Sequence, residues 1–229
     1  MNKYVYIFFV LIFILFFINY KSIKNYFHVH ILMNIYSLIS LINDKPIWLN
    51  YTNDDNLNKM KIITNKFNIK LKNIKVLDLG CGNCSMLDYF KNHSSNLYGV
   101  DISSINIYIC KKKYKTNSNF QNTNIIDYLD KTTDNNFDLI IINGTLGYFT
   151  INQQIYIINK SYNKLKKNGY IYLGGIQYEN DKNLWQTYPI NNTVLKFLNK
   201  FDYKIYKEQD LFNENKYNTN NKLIIIKKS

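Results

Sequence analysis

Segments with strand character and segments with helix character alternate from about residue 70 to the end of the chain. That alternation predicts an α/β fold, a mainly parallel sheet with helices on both faces. Two further observations support it. Residues 137–143 (FDLIIIN) form a strongly apolar run, as a central parallel strand buried on both faces should. Residues 75–79 (KVLDL) run directly into Gly80-Cys81-Gly82, a tight turn leading into a helix. At 229 residues the chain has room for one such domain and a short extension.

The elements follow in order. Residues 5–18 (VYIFFVLIFILFFI) carry no charge and are flanked by Tyr4 and Tyr20, with Lys3 before and Lys21 and Lys24 after. As a helix, the 17 residues from Tyr4 to Tyr20 would extend about 25 Å, at the short end of what crosses a bilayer. Flanking Tyr and Lys suit anchoring at the interface. We therefore expect a membrane anchor over 1–21; a cleaved signal peptide and a buried helix are the competing readings. No small-residue cleavage site follows, and the segment is apolar on every side. Lys is slightly heavier after the segment than before it, which points to a cytosolic C-terminal domain. Residues 22–69 read as a helical lead-in or cap, with the polar stretch 44–73 as the junction to the domain at 70–229.

Within the domain, strands are expected over 75–79, 97–102, 120–125, 137–143, 170–176, 203–208 and 222–227. Helices are expected over 85–91, 104–114, 152–165 and 193–201, the third with Ile155, Ile158, Tyr162 and Leu165 on one face. No helix is expected between the last two strands, which should therefore pair as an antiparallel hairpin.

Composition excludes several classes. A 46% hydrophobic and 16% aromatic content rules out wholesale disorder, and two prolines rule out a Pro-rich scaffold. The formal charge of +13 raises nucleic-acid binding. Every one of the 29 basic residues is Lys, however, and Asn, Ile, Lys, Tyr and Phe dominate, as AT-rich codons dictate. Arg, the preferred bidentate reader of phosphate and guanine, is absent, so nucleic acid is not the expected partner.

The chemistry centres on residues 76–87 (VLDLGCGNCSML). Glycines at 80 and 82 let the backbone turn and let a ligand approach the amides, and the following helix start presents unpaired N–H groups. Asp78 points at the same end of the sheet. Asp101, 21 residues after Gly80 and at the end of the second strand, suits the paired hydroxyls of a ribose. The set Asp78-x-Gly80-x-Gly82 with Gly99-Val100-Asp101 resembles the class I S-adenosylmethionine-dependent methyltransferases. Phe137-Asp138-Leu139-Ile140 is similar to that family's fourth strand. Leu165-Lys166-Lys167-Asn168-Gly169 is similar to its L-K-P-G-G turn, with Pro and one Gly replaced, and the closing hairpin matches its sixth and seventh strands.

The resemblance implies a Rossmann-like sheet of seven strands in the order 3-2-1-4-5-7-6, with the last strand antiparallel, and S-adenosyl-L-methionine as cofactor. It also implies residue roles. Gly80, Cys81 and Gly82 would pack on the methionine portion, and Asp78 would hold its ammonium. Asp101 would bind the ribose hydroxyls, and Ile102 would lie on an adenine face. Asn124, with Ile125 beside it, stands where an acidic residue often meets the adenine amino group. Asn143 would face the transferring methyl group. Cys84 occupies the place of the family's third glycine.

Other readings stay open. In a dinucleotide-binding G-x-G-x-x-G the third glycine would be residue 85, which is Ser85. Cys81 and Cys84 form a C-x-x-C pair that alone could be half a zinc site or a redox pair; no second pair exists, so no metal is expected, and Cys110 reads as core or surface filler. Asn143-Gly144-Thr145-Leu146 lacks the Asn/Asp-Pro-Pro-aromatic signature of enzymes that methylate exocyclic amino nitrogens. Residues 46–51 (PIWLNY) resemble the aromatic lead-in of small-molecule and lipid methyltransferases, so a small or lipid-like acceptor is expected. Trp48, Tyr51, Tyr148, Phe149 and Tyr178 are candidate walls of its cavity, and each is as compatible with core packing. A protein or RNA methyltransferase, or a non-catalytic binding module of this family, is the alternative. No general base can be named.

Overall fold

The computed structural model describes residues 35, 53–115, 119–179, 188–212 and 222–229. The expected anchor over 1–21, most of the lead-in, and Trp48 and Tyr51 lie outside these residues. Among the described residues no helix is long and apolar enough to cross a membrane.

Seven strands form one sheet in the order β3-β2-β1-β4-β5-β7-β6. They are β1 (Val76–Leu79), β2 (Leu97–Asp101), β3 (Phe120–Asn122), β4 (Phe137–Asn143), β5 (Leu165–Ile176), β6 (Asp202–Lys207) and β7 (Lys222–Lys227). β1 to β5 pair in parallel, while β7 lies antiparallel between β5 and β6. The helices are α1 (Asn53–Lys66), α2 (Ser104–Tyr114), α3 (Ile125–Lys131), α4 (Ile151–Lys164), α5 (Asn192–Leu198) and α6 (Glu208–Phe212). Two 3-10 helices, Ser85–Phe90 and Leu146–Tyr148, follow β1 and β4.

Alternation along the strands sends side chains to two separate cores. Leu77, Leu79, Ile140 and Ile142 pack with Ile157 and Ile158 of α4 on one face. Val76, Leu139 and Ile141 pack with Phe90, Ile107 and Met60 of α1 on the other. Each such side chain, fully removed from water, contributes about 1.5–3 kcal/mol. That is why the two apolar runs in β1 and β4 fix the middle of the sheet.

The departures from the sequence expectation are local. The helix expected over 85–91 is a single 3-10 stretch, Ser85–Phe90, entered through Cys84 in a left-handed conformation with φ 62°. The strand expected over 120–125 ends at Asn122; Asn124 instead caps α3, its side chain accepting the Ile126 N–H at 2.8 Å. The polar junction 44–73 contains α1. The hairpin formed by β6 and β7 carries α6 in its connection, where only a polar loop was expected. The Asn168-Gly169 turn leaves Asn168 at φ 61°, and Asn is the ordinary residue that tolerates this region after glycine.

Candidate functional site

The site lies at the C-terminal ends of β1, β2 and β4, where an open parallel sheet presents its ligand crevice. β1 delivers Asp78, and the chain then turns through Gly80, Cys81 and Gly82. The N–H groups of Gly80 and Cys81 both donate to the Val100 carbonyl, at 2.7 and 3.0 Å, so the turn folds back onto β2. Gly80 (φ 79°) could not be alanine without cost: an added Cβ would lie 2.3 Å from Thr145 Oγ1. At Gly82 an added Cβ would meet nothing within 4 Å, so this glycine faces open space.

Asp101 is tied to this turn. Its Oδ2 accepts the Gly82 N–H at 2.9 Å, and its Oδ1 accepts the Ser103 N–H at 2.8 Å and Asn106 Nδ2 at 3.4 Å. Those three donors fix the carboxylate and favour its charge, but burial outweighs them and holds its pKa above the ordinary value.

Asp78 is the unusual group. It is 1% exposed, and its Oδ2 has no hydrogen-bond partner among the described residues. Burial first, and the neighbouring Asp101 carboxylate second, push its pKa up to about 8. A buried carboxylate oxygen without a donor costs free energy unless a ligand supplies one. An ammonium brought beside it would supply both the donor and the countercharge. The two carboxylates therefore sense each other at one rim of the sheet, with the open face of Gly82 beside them. This pair of acceptors fits a ligand that carries an ammonium at one end and hydroxyl donors at the other.

The remaining expected residues divide. Ile102 is half-buried just beyond Asp101, and Asn143 is half-buried at the end of β4. Asn124 is exposed, with its Oδ1 used as the α3 cap. Ile125 is 5% exposed within the α4-side core. Tyr148 ends the second 3-10 helix and Phe149 caps it; both are half-buried, and Phe149 packs on the same core. Tyr178 is also half-buried, with Lys222 Nζ 3.9 Å from its ring centre.

Several residues at the site escaped the sequence reading. Thr145 bridges the two turns, its Oγ1 lying 3.5 Å from the Gly80 carbonyl and 3.2 Å from that of Asn143. Its place directly after Asn143-Gly144 was the only available signal. α1 reaches the 3-10 helix after the turn, with Asn56 Nδ2 donating to Ser85 Oγ at 2.9 Å. Glu208 of α6 accepts the Gly175 N–H at 3.0 Å and pairs with buried Lys59 of α1 at 3.2 Å. Cys110, taken for filler, is joined to Cys84 by a disulfide, with their Cα atoms 5.8 Å apart. Cys81 stays a buried thiol; burial, then Asp101 and Asp78, push its pKa well above the ordinary value.

Residues 70–219 match the family described as "Methyltransferase domain". Several solved structures share the fold. An S-adenosylmethionine-dependent methyltransferase from Archaeoglobus fulgidus is 21% identical with a TM-score of 0.55, covering 75% of this chain and 94% of its own. The N-methyltransferase NodS from Bradyrhizobium japonicum WM9, in complex with S-adenosyl-L-homocysteine, is 17% identical with a TM-score of 0.61, covering 86% and 98%. Magnesium protoporphyrin IX methyltransferase from Synechocystis PCC 6803, with bound S-adenosylmethionine, is 14% identical with a TM-score of 0.59, covering 91% and 97%. No curated protein matches the chain in sequence.

Proposed function

The chain belongs to the methyltransferase-domain family and uses S-adenosylmethionine, and from that premise we propose that it methylates a small-molecule or lipid-like acceptor. The observation that carries the cofactor site is the buried Asp78 carboxylate, with an oxygen lacking a partner among the described residues, beside Asp101 and the open face of Gly82. Bound there, the cofactor would supply a sulfonium methyl group for in-line transfer to an acceptor nucleophile, its sulfur leaving as the thioether of S-adenosylhomocysteine.

In this reading Asp78 receives the ammonium of the methionine portion. Asp101 receives the ribose hydroxyls while its three donors hold it in place, and Gly80, Cys81 and Gly82 form the floor. Ile102 lies against the adenine. Asn124 and Ile125 border it from the start of α3. Asn143 stands where β4 ends, toward the transferring group, with Thr145 bracing its turn against Gly80. What these residues do is bind and align. Alignment of nucleophile and methyl carbon is the main source of rate in such a displacement.

The acceptor reading draws on three supports. Tyr148, Phe149 and Tyr178 are half-buried aromatic groups on the connections after β4 and β5, and an aromatic wall is compatible with a cationic donor. The lead-in carries Trp48 and Tyr51. The Synechocystis structure is, by name, a magnesium protoporphyrin IX methyltransferase. We further propose that residues 1–21 anchor the chain in a membrane, that 22–69 cap the site, and that the domain at 70–229 is cytosolic; the uncharged run at 5–18 supports the anchor.

The test is calorimetry with S-adenosylmethionine and its demethylated product on the parent chain and on Asp101→Ala, followed by transfer of labelled methyl from the cofactor to a lipid extract and to RNA. Binding that Asp101→Ala abolishes, with label in the extract alone, is the expected result. Equal binding by both chains would end the site assignment, and label in RNA alone would end the acceptor assignment.

A further inference from the structure

Cys81, Cys84 and Cys110 come from two parts of the chain, the turn after β1 and the middle of α2. Their sulfurs all lie within 4.8 Å of one another, and all three residues are buried. The fold thus supplies the third ligand that the C-x-x-C pair lacked in sequence. The Gly82 carbonyl oxygen faces the same cluster, 3.3 Å from Cys110 Sγ and 3.8 Å from Cys81 Sγ.

We propose that, in its reduced state, this trio holds one thiophilic divalent ion of the zinc class, and that the Cys84–Cys110 disulfide is the oxidised, metal-free form of the same site. A buried disulfide fits an oxidising compartment; in a reducing one, a C-x-x-C with a third sulfur nearby is more often a metal site. Three thiolates around such an ion at about 2.3 Å lie about 3.8 Å apart. Cys81 is already within a short movement of that distance from its neighbours. Cys84 and Cys110 need only separate their sulfurs once the bond is reduced, and their Cα atoms at 5.8 Å leave room for it. The Gly82 carbonyl is placed to give the fourth, oxygen donor.

The chemistry balances in two steps. A dithiol reductant converts the Cys84–Cys110 disulfide to two thiols and leaves as its own disulfide. The divalent ion then binds three sulfurs and releases three protons, leaving the site with a net charge of −1. In either state the turn holding Cys81 and Cys84 is tied to α2. The reduced tether, unlike the oxidised one, depends on metal supply.

The site shares Cys81 and Gly82 with the floor of the cofactor crevice, but its test needs neither acceptor nor methyl transfer. The full chain, reduced under anaerobic conditions, is titrated with Cd2+ while sulfur-to-metal charge-transfer absorption and proton release are recorded. We expect one ion per chain, close to three protons released, and a loss of affinity of more than about a hundredfold in Cys110→Ser and in Cys84→Ser. X-ray absorption on the zinc-loaded parent chain, which requires no variant to fold, should show three sulfurs at about 2.3 Å. Sub-stoichiometric uptake, a zinc shell of nitrogen and oxygen only, or folded Cys110→Ser binding as tightly as the parent would each overturn the proposal. So would an intact Cys84–Cys110 bond in chain taken from the cytosol of a reducing cell.

Discussion

Replacing Asp78 by Asn should make the cofactor-free chain more stable, and increasingly so as pH rises. The carboxyl is raised from 3.8 to about 8 by its burial and by Asp101. A carboxyl whose folded pKa exceeds its unfolded value takes up a proton on folding. It therefore withdraws stability as pH climbs from the unfolded to the folded value, here from about 4 to about 8, and has no further pH effect outside that window. A lift of about four units, at about 1.4 kcal/mol each, amounts to on the order of 5 kcal/mol. Water entry and movement of the two carboxylates relieve part of that, so about 2–5 kcal/mol is the expected range. Asp78→Asn carries no such proton. In urea denaturation, parent and variant should agree to within about 1 kcal/mol near pH 4, and the variant should lead by about 2–5 kcal/mol near pH 8. A gap that stays flat across the window would refute the electrostatic account of Asp78. Cofactor binding supplies the complementary sign: an ammonium needs the ionised carboxylate, so the parent's affinity should rise by up to about tenfold per pH unit between about 5 and 7, with proton release in calorimetry.

Three other outcomes follow from the geometry. Gly80→Ala forces a Cβ to within 2.3 Å of Thr145 Oγ1 at a left-handed φ, which should lower stability by about 2 kcal/mol or more in thermal unfolding. Asn124→Ala removes the α3 cap and should cost about 1 kcal/mol in urea denaturation, with Asn124→Asp restoring most of it. Glu208→Ala breaks the buried pair with Lys59 and the acceptor for Gly175 N–H; about 3–5 kcal/mol of stability should go, read by denaturant midpoint.

The centre of the sheet was legible because burial on both faces leaves an unmistakable residue pattern. β1 and β4 have few ways to be anything else, and the turn at Gly80 and Gly82 follows from β1 without further information. The edges were less legible. β3 buries only Phe120 of its three residues, so its strand signal is faint, and Asn124, read as strand end and ligand contact, caps α3 instead. α1 falls within the stretch 22–69 read as a helical lead-in, but the sequence does not mark its bounds there, because Met60 and Ile63, which it buries, stand among polar residues. The partnership of Cys84 with Cys110 spans 26 positions and depends on α2 packing back across the turn. Asp78 and Asp101 could be nominated from spacing, but the missing donor on Asp78 belongs to three dimensions alone.

Among the described residues, six other than glycine have positive φ, and four of them are asparagines, at 68, 73, 135 and 168. The chain has only eight glycines, all between residues 80 and 175. At these turns a carboxamide side chain occupies a backbone conformation that glycine adopts most freely. Glycine at 68, 73 or 168 would ease the backbone without touching either core, whereas at 135 it would also remove the side-chain oxygen that accepts from Lys228 Nζ at 2.9 Å.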